Sequence, residues 1–123
     1  MKISPILIYR TLAILSCVGV VAAALLPDND GQIHMTDIDK VDHIIAFGTL
    51  SVLAVLALPK TSSLWIGAAL VMLGGAIELI QGLPIVHRDC SVWDWLADTV
   101  AIALGLALVK IHRMRQRRAS NRS

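Results

Sequence analysis

The apolar residues of this chain fall into four long blocks separated by short polar breaks. The first block covers 5–26 and is broken by Pro27-Asp28-Asn29-Asp30-Gly31, a strong turn signal. The second covers 41–58 and stops at Pro59-Lys60, and the third covers 64–83 and stops at Pro84. The fourth covers 92–109 and runs into Lys110-Ile111-His112-Arg113. Each block approaches the roughly 20 residues needed to cross the hydrocarbon layer of a bilayer. Inside lipid no water satisfies backbone N–H and C=O groups, so blocks of this kind form helices. The pattern predicts an all-α polytopic membrane protein, with four transmembrane helices in one compact bundle and a basic cytoplasmic tail over 110–123.

Local signals agree with these elements. Thr36-x-x-Asp39 and Ser91-x-x-Asp94 have capping-box form ahead of apolar runs, with Asp in place of the usual Glu. Composition strengthens the membrane reading. The chain is 56% hydrophobic and only 16% charged, with a mean hydropathy of +0.71. So few charges would not cover the surface of a soluble domain of 123 residues. The first block also has the form of a signal peptide, with Lys2 and Arg10 before it and Ala22-Ala23-Ala24 as a small-residue site. Its apolar stretch continues well past Cys17 and is long enough to span, which favours retention as a membrane helix.

Lysine and arginine set the expected orientation. Lys2, Arg10, Lys60 and the tail residues Lys110, Arg113, Arg115, Arg117, Arg118 and Arg122 place both termini and the second loop in the cytoplasm. The basic tail is read as a topology determinant, with docking on anionic lipid as the alternative. Trp65 is expected as an interfacial anchor on the inner side, and Trp93 and Trp95 on the outer side. Cys17 should sit within the first helix and Cys90 in an outer loop, too far apart to pair.

With that topology nearly every unusual polar residue falls at one face of the bilayer. Asp39, Lys40, Asp42 and His43 open the second helix, and Glu78 and Gln81 lie toward the end of the third. His87, Arg88 and Asp89 form the next loop, and Asp94 and Asp98 open the fourth helix. An ionisable group at a helix centre costs about 2.5–3.5 kcal/mol on insertion scales, so such groups face the bundle interior and mark function. Glu78 and Asp98 should each lie a turn or more below the interface. Helical spacing groups Gly67, Gly74, Glu78 and Gln81 on one stripe, and Asp94, Asp98, Ala101 and Gly105 on another. Small residues permit close helix approach, so three polar faces can meet in one outward-facing pocket closed by apolar packing beneath.

These residues carry a resemblance. Lys40-x-x-His43 at the start of one span, Glu78-x-x-Gln81 at the end of the next, and Arg88 and Asp94 leading to Asp98 before a small-residue-rich helix resemble the VanZ-like family. The likeness covers 39–105, in order and in topology. Asp98 stands where that family often has Asn, adding a potential charge. The family takes its name from an accessory protein linked to resistance against the glycopeptide antibiotic teicoplanin. The resemblance implies a multi-pass bacterial membrane protein connected with the cell envelope, and it names no reaction.

Three function classes follow from the residues. The first is a binding or accessory protein, with Lys40, His43, Glu78, Gln81, Arg88, Asp94 and Asp98 around a lipid-linked, glycopeptide or other anionic ligand; Lys40 and Arg88 would hold phosphate or carboxylate. The second is an intramembrane enzyme acting on a lipid-linked substrate at the outer leaflet. No cofactor is predicted, yet Asp39, His43, Glu78, Asp94 and Asp98 are all types that ligate a divalent metal. No HExxH or comparable motif supports catalysis. The third, an ion pathway, is weakest because the inner halves of the helices carry mainly Leu, Val, Ile, Ala and Gly. Each residue also has a plainer role. Asp94 is the N3 partner of a cap at Ser91, Glu78, Gln81 and Asp98 make interhelical hydrogen bonds, and Arg88 joins an ion pair. The expected partners are the bilayer and an anionic or lipid-linked small molecule, with no nucleic acid; the oligomeric state is left open.

Overall fold

The computed structural model describes residues 3–26, 36–86 and 90–123, and the side chains of the second helix from Val41 onward. The described residues form four helices: α1 (Pro5–Leu25), α2 (Thr36–Ala57), α3 (Ser63–Gln81) and α4 (Val92–Ser120). Three of them, α1, α3 and α4, are long and apolar enough to cross a membrane. The apolar part of α2, Val41–Ala57, is shorter, and the turn ahead of it holds Asp37, Asp39 and Lys40.

The helix ends follow from local chemistry. Pro5 sits at the start of α1, where a missing N–H costs nothing, behind Ser4 at the N-cap. A turn closed by Thr61 N–H to Leu58 C=O (3.0 Å), with Pro59 at its second position, reverses the chain between α2 and α3. Ser62 then caps α3 by accepting the Leu64 N–H at 3.3 Å. Pro84 forbids continuation of α3, which ends at Gln81 with Gly82 as its C-cap. Ser91 caps α4, its hydroxyl accepting the Asp94 N–H at 3.4 Å.

One boundary departs from expectation. The segment 110–123, expected as a separate tail after a helix over 92–109, is helical as far as Ser120. No glycine or proline interrupts it, and Arg117 and Arg118 in the last turn complement the negative end of the helix dipole. At about 1.5 Å per residue α4 is roughly 43 Å long, well beyond the ~30 Å of a hydrocarbon core. Its basic end therefore projects from the bundle as a continuous rod.

The helices run alternately up and down. Helix α2 packs against α1, α3 and α4, and α1 is peripheral, burying only Ala24. The core joins Ala24, Phe47, Leu50, Val55, Ile66, Leu70, Ile77, Ile102 and Val109. The outer surface is apolar as well: Leu12, Leu15, Leu64, Met72, Leu79, Leu104 and Leu108 are all exposed, while Ser51, Glu78, Gln81 and Asp98 are buried. Polar inside with apolar outside is the arrangement a bilayer selects, because lipid solvates leucine and leaves carboxylates unsolvated.

Small residues set the tightest helix crossing. A Cβ at Gly105 of α4 would collide with the Ser51 hydroxyl and lie 2.9 Å from the Gly48 carbonyl oxygen, both on α2. The two backbones therefore meet with nothing between them. At the end away from the site, two arginines converge on the C-terminus of α2. Arg10 Nε donates to the Ala57 carbonyl (3.2 Å) and an Arg113 terminal nitrogen to the Val55 carbonyl (3.4 Å). These last-turn carbonyls have no partner within their own helix, and each guanidinium supplies one together with a favourable charge.

Candidate functional site

Asp98 lies on the buried stripe of α4 with Ala101, Ile102 and Gly105, and is 2% exposed. Glu78 lies on the buried stripe of α3 with Gly67, Leu70, Gly74, Ile77 and Gln81, and is 4% exposed. His43 faces both from α2. Its Nδ1 stands 3.2 Å from Asp98 Oδ2, and its ring stacks toward Phe47 with centroids 6.3 Å apart. Gly74 makes room for this meeting: a Cβ there would touch Trp95, Phe47 and, at 3.7 Å, Asp98 Oδ2. One donor atom from each of His43, Glu78 and Asp98 lies within 4.8 Å of the other two. Three helices thus deliver one imidazole and two carboxylates to a single point, with Phe47 closing the floor at 0% exposure.

The carboxylates are held on one side only. Glu78 Oε2 accepts the Ser91 backbone N–H at 2.9 Å, which ties the end of α3 to the cap of α4. Glu78 Oε1 and Asp98 Oδ1 are buried and have no hydrogen-bond partner among the described residues. An unsatisfied buried acceptor costs about 1–3 kcal/mol, more when charged, so two at one point mark a site built for something other than packing.

A groove of about 500 Å³ opens beside this point between α3 and α4. Its walls are Met72, Gly75, Ala76 and Leu79 on one side, and Val92 and Trp95 on the other. Glu78 and Cys90 line it as well. Trp95 shapes the wall: its indole N–H donates to the Val71 carbonyl at 3.0 Å, laying the ring against Gly75. Trp93 and Trp95, expected alike as anchors on the outer side, differ in their surroundings. Trp93 points outward and is exposed; Trp95 turns inward because a backbone carbonyl on α3 satisfies its N–H.

Comparison with protein-family models, with curated proteins and with solved structures found no match.

Of the seven residues expected to share a pocket, the structure brings His43, Glu78 and Asp98 together. Asp94 is half-buried at the third position of α4; its backbone is capped by Ser91 and its Oδ1 is buried without a partner. Gln81 does other work. Its Nε2 donates to the Ala24 carbonyl at 3.1 Å, satisfying one of the last acceptors of α1 and pinning that peripheral helix to the bundle. Lys40 lies on α2 one turn before His43, and its side chain is outside the described residues, as are His87, Arg88 and Asp89 and the side chains of Thr36 and Asp39. Cys17 packs against the core, while Cys90 is exposed, and both are free thiols.

The Gln81 contact gives a clean test. Gln81→Met keeps the volume and removes the donor, leaving the Ala24 carbonyl buried without a partner. Detergent-solubilised protein should lose about 1–3 kcal/mol of stability, and a cysteine placed at Ala24 should become more reactive. An unchanged melting temperature would show that water replaces the amide.

Proposed function

We propose that this chain is a four-span membrane protein of the VanZ-like type that binds a lipid-linked anionic ligand. Donor groups of the headgroup, such as amide N–H, meet the carboxylates where His43, Glu78 and Asp98 converge; its anionic group falls to Lys40 and Arg88, as their charge suggests, and an apolar tail lies in the groove between α3 and α4. One observation carries the reading: Glu78 belongs both to the buried polar cluster and to the wall of the apolar groove. A ligand polar at one end and hydrocarbon at the other matches that adjacency, whereas a fully soluble solute would leave the groove unfilled.

The fourth span is α2, whose 22 residues reach across a bilayer once its charged first turns are placed at the interface. Its position against all three other helices supports this. The basic end of the bundle, with Arg10, Lys60, Lys110 and Arg113, faces the cytoplasm in this reading, and the site opens to the opposite leaflet. Cys90, exposed beside Glu78, should then react with a membrane-impermeant maleimide added to intact cells, while reporters fused after Lys60 and Ser123 read as cytoplasmic. Labelling of Cys90 only after lysis would reverse the topology.

Ligand binding is tested by filling the groove. Ala76 is an exposed wall residue outside the polar cluster, so Ala76→Trp should leave the fold intact. Protein purified from membranes should carry a phospholipid or isoprenoid phosphate that mass spectrometry detects, and Ala76→Trp should remove it. Equal lipid in both proteins would exclude the groove as its seat. Appearance of a cleaved lipid product on incubation would turn the binding reading into the enzymatic one.

A further inference from the structure

We infer that His43, Glu78 and Asp98 form a divalent transition-metal site, with one coordination face open to the groove. Three observations meet here. The three donor atoms lie within 4.8 Å of one another, and ligands on opposite sides of an ion with bonds of about 2.1–2.4 Å stand roughly 4–5 Å apart. The 3.2 Å between His43 Nδ1 and Asp98 Oδ2 is also about the edge length of two adjacent ligands on one ion. Finally, Glu78 Oε1 and Asp98 Oδ1 are buried acceptors without partners, each on a residue less than 5% exposed. The Ser91 N–H accounts for Glu78 Oε2 and the His43 contact for Asp98 Oδ2, while the other oxygen of each carboxylate is buried without a partner among the described residues.

Charge points the same way. Glu78 and Asp98 bring two carboxyl groups into the bundle, and His43 is the one described side chain in the cluster able to carry positive charge. A divalent cation balances the two carboxylates and inverts the sign of the field in the groove. The donor set of one imidazole and two carboxylates suits Zn²⁺ or Mn²⁺ better than Ca²⁺ or Mg²⁺, which favour all-oxygen cages. Three protein ligands leave at least one position vacant in a four- to six-coordinate ion. Of the three residues Glu78 lines the groove, so a position vacant on its side would face the groove, where a phosphate or carboxylate oxygen of the ligand proposed above would complete the shell. The metal assignment rests on the cluster alone; it stands or falls whether or not a lipid binds.

Full-length protein in detergent micelles, stripped with chelator and dialysed against Zn²⁺ or Mn²⁺, should retain one ion per chain. Glu78→Gln and Asp98→Asn should each weaken binding by about tenfold or more, while Asp42→Asn, an exposed carboxylate on the same turn of α2 as His43, should not. Equal binding by the wild type and both cluster variants would place the ion elsewhere and overturn the assignment. Should a variant fail to fold, X-ray absorption on the wild-type zinc form decides by itself. Nitrogen and oxygen scatterers near 2.0–2.1 Å are expected, and a sulfur near 2.3 Å would move the ion to Cys90. A wild-type protein that retains no ion after dialysis also refutes the site.

Discussion

Replacing Gly105 with leucine is expected to abolish the folded bundle. A single Cβ at this position already overlaps the Ser51 hydroxyl and approaches the Gly48 carbonyl oxygen to 2.9 Å. The serine is no flexible obstacle: it is 0% exposed and its hydroxyl donates to that same Gly48 carbonyl at 2.7 Å. To admit a side chain, α2 and α4 must separate, which also parts His43 from Asp98. The loss should be at least about 3 kcal/mol, read as loss of monodisperse protein in fluorescence-detected gel filtration. Gly105→Ala should give a folded, less stable protein. Adding Ser51→Gly to it should restore only part of the loss, because the backbone oxygen of Gly48 remains in the way. Wild-type melting of Gly105→Leu would show that the helices do not meet there.

The second large effect concerns the cluster, where stability and function should move in opposite directions. Asp98→Leu alone removes the carboxylate that meets the His43 ring at 3.2 Å, so it should destabilise by about 3 kcal/mol. The triple variant His43→Leu, Glu78→Met and Asp98→Leu removes the three polar side chains of the cluster at once, giving up the Ser91 N–H to Glu78 bond with them. It should recover that loss and melt above the wild type, by the equivalent of about 1–4 kcal/mol, while binding neither metal nor lipid. Melting curves of chelator-treated protein in one detergent make the comparison. A triple variant less stable than Asp98→Leu would mean that the cluster chiefly holds the helices together.

Most of the fold is legible in the chain because lipid imposes a simple rule: a run of apolar residues must become a helix, and proline or a polar break must end it. Thus α1 and α3 fall within two residues of the expected 5–26 and 64–83. The rule says less where charge enters. Within the described residues α2 is already helical at Thr36, ahead of the apolar run, and α4 continues to Ser120 beyond it, because charged turns need no hydrocarbon to be helical. At the site, Glu78 and Asp98 were visible as charges inside apolar helices, and the stripes of glycine and alanine showed which faces meet. Gln81 shares the stripe of Glu78, yet its partner is a carbonyl 57 residues away on α1. Trp95 and Arg10 are similar: each bonds a main-chain oxygen of another helix, and a backbone acceptor leaves no mark in the sequence of its element.

In the four-span reading, the groove between Met72 and Trp95 opens sideways, toward neighbouring hydrocarbon, and not along the bundle axis. Whatever fills it arrives by diffusion in the plane of the leaflet. Occupancy is then governed by the mole fraction of that lipid in the membrane, so a ligand scarce in water and weakly held still saturates the protein once it is a modest fraction of the surrounding bilayer.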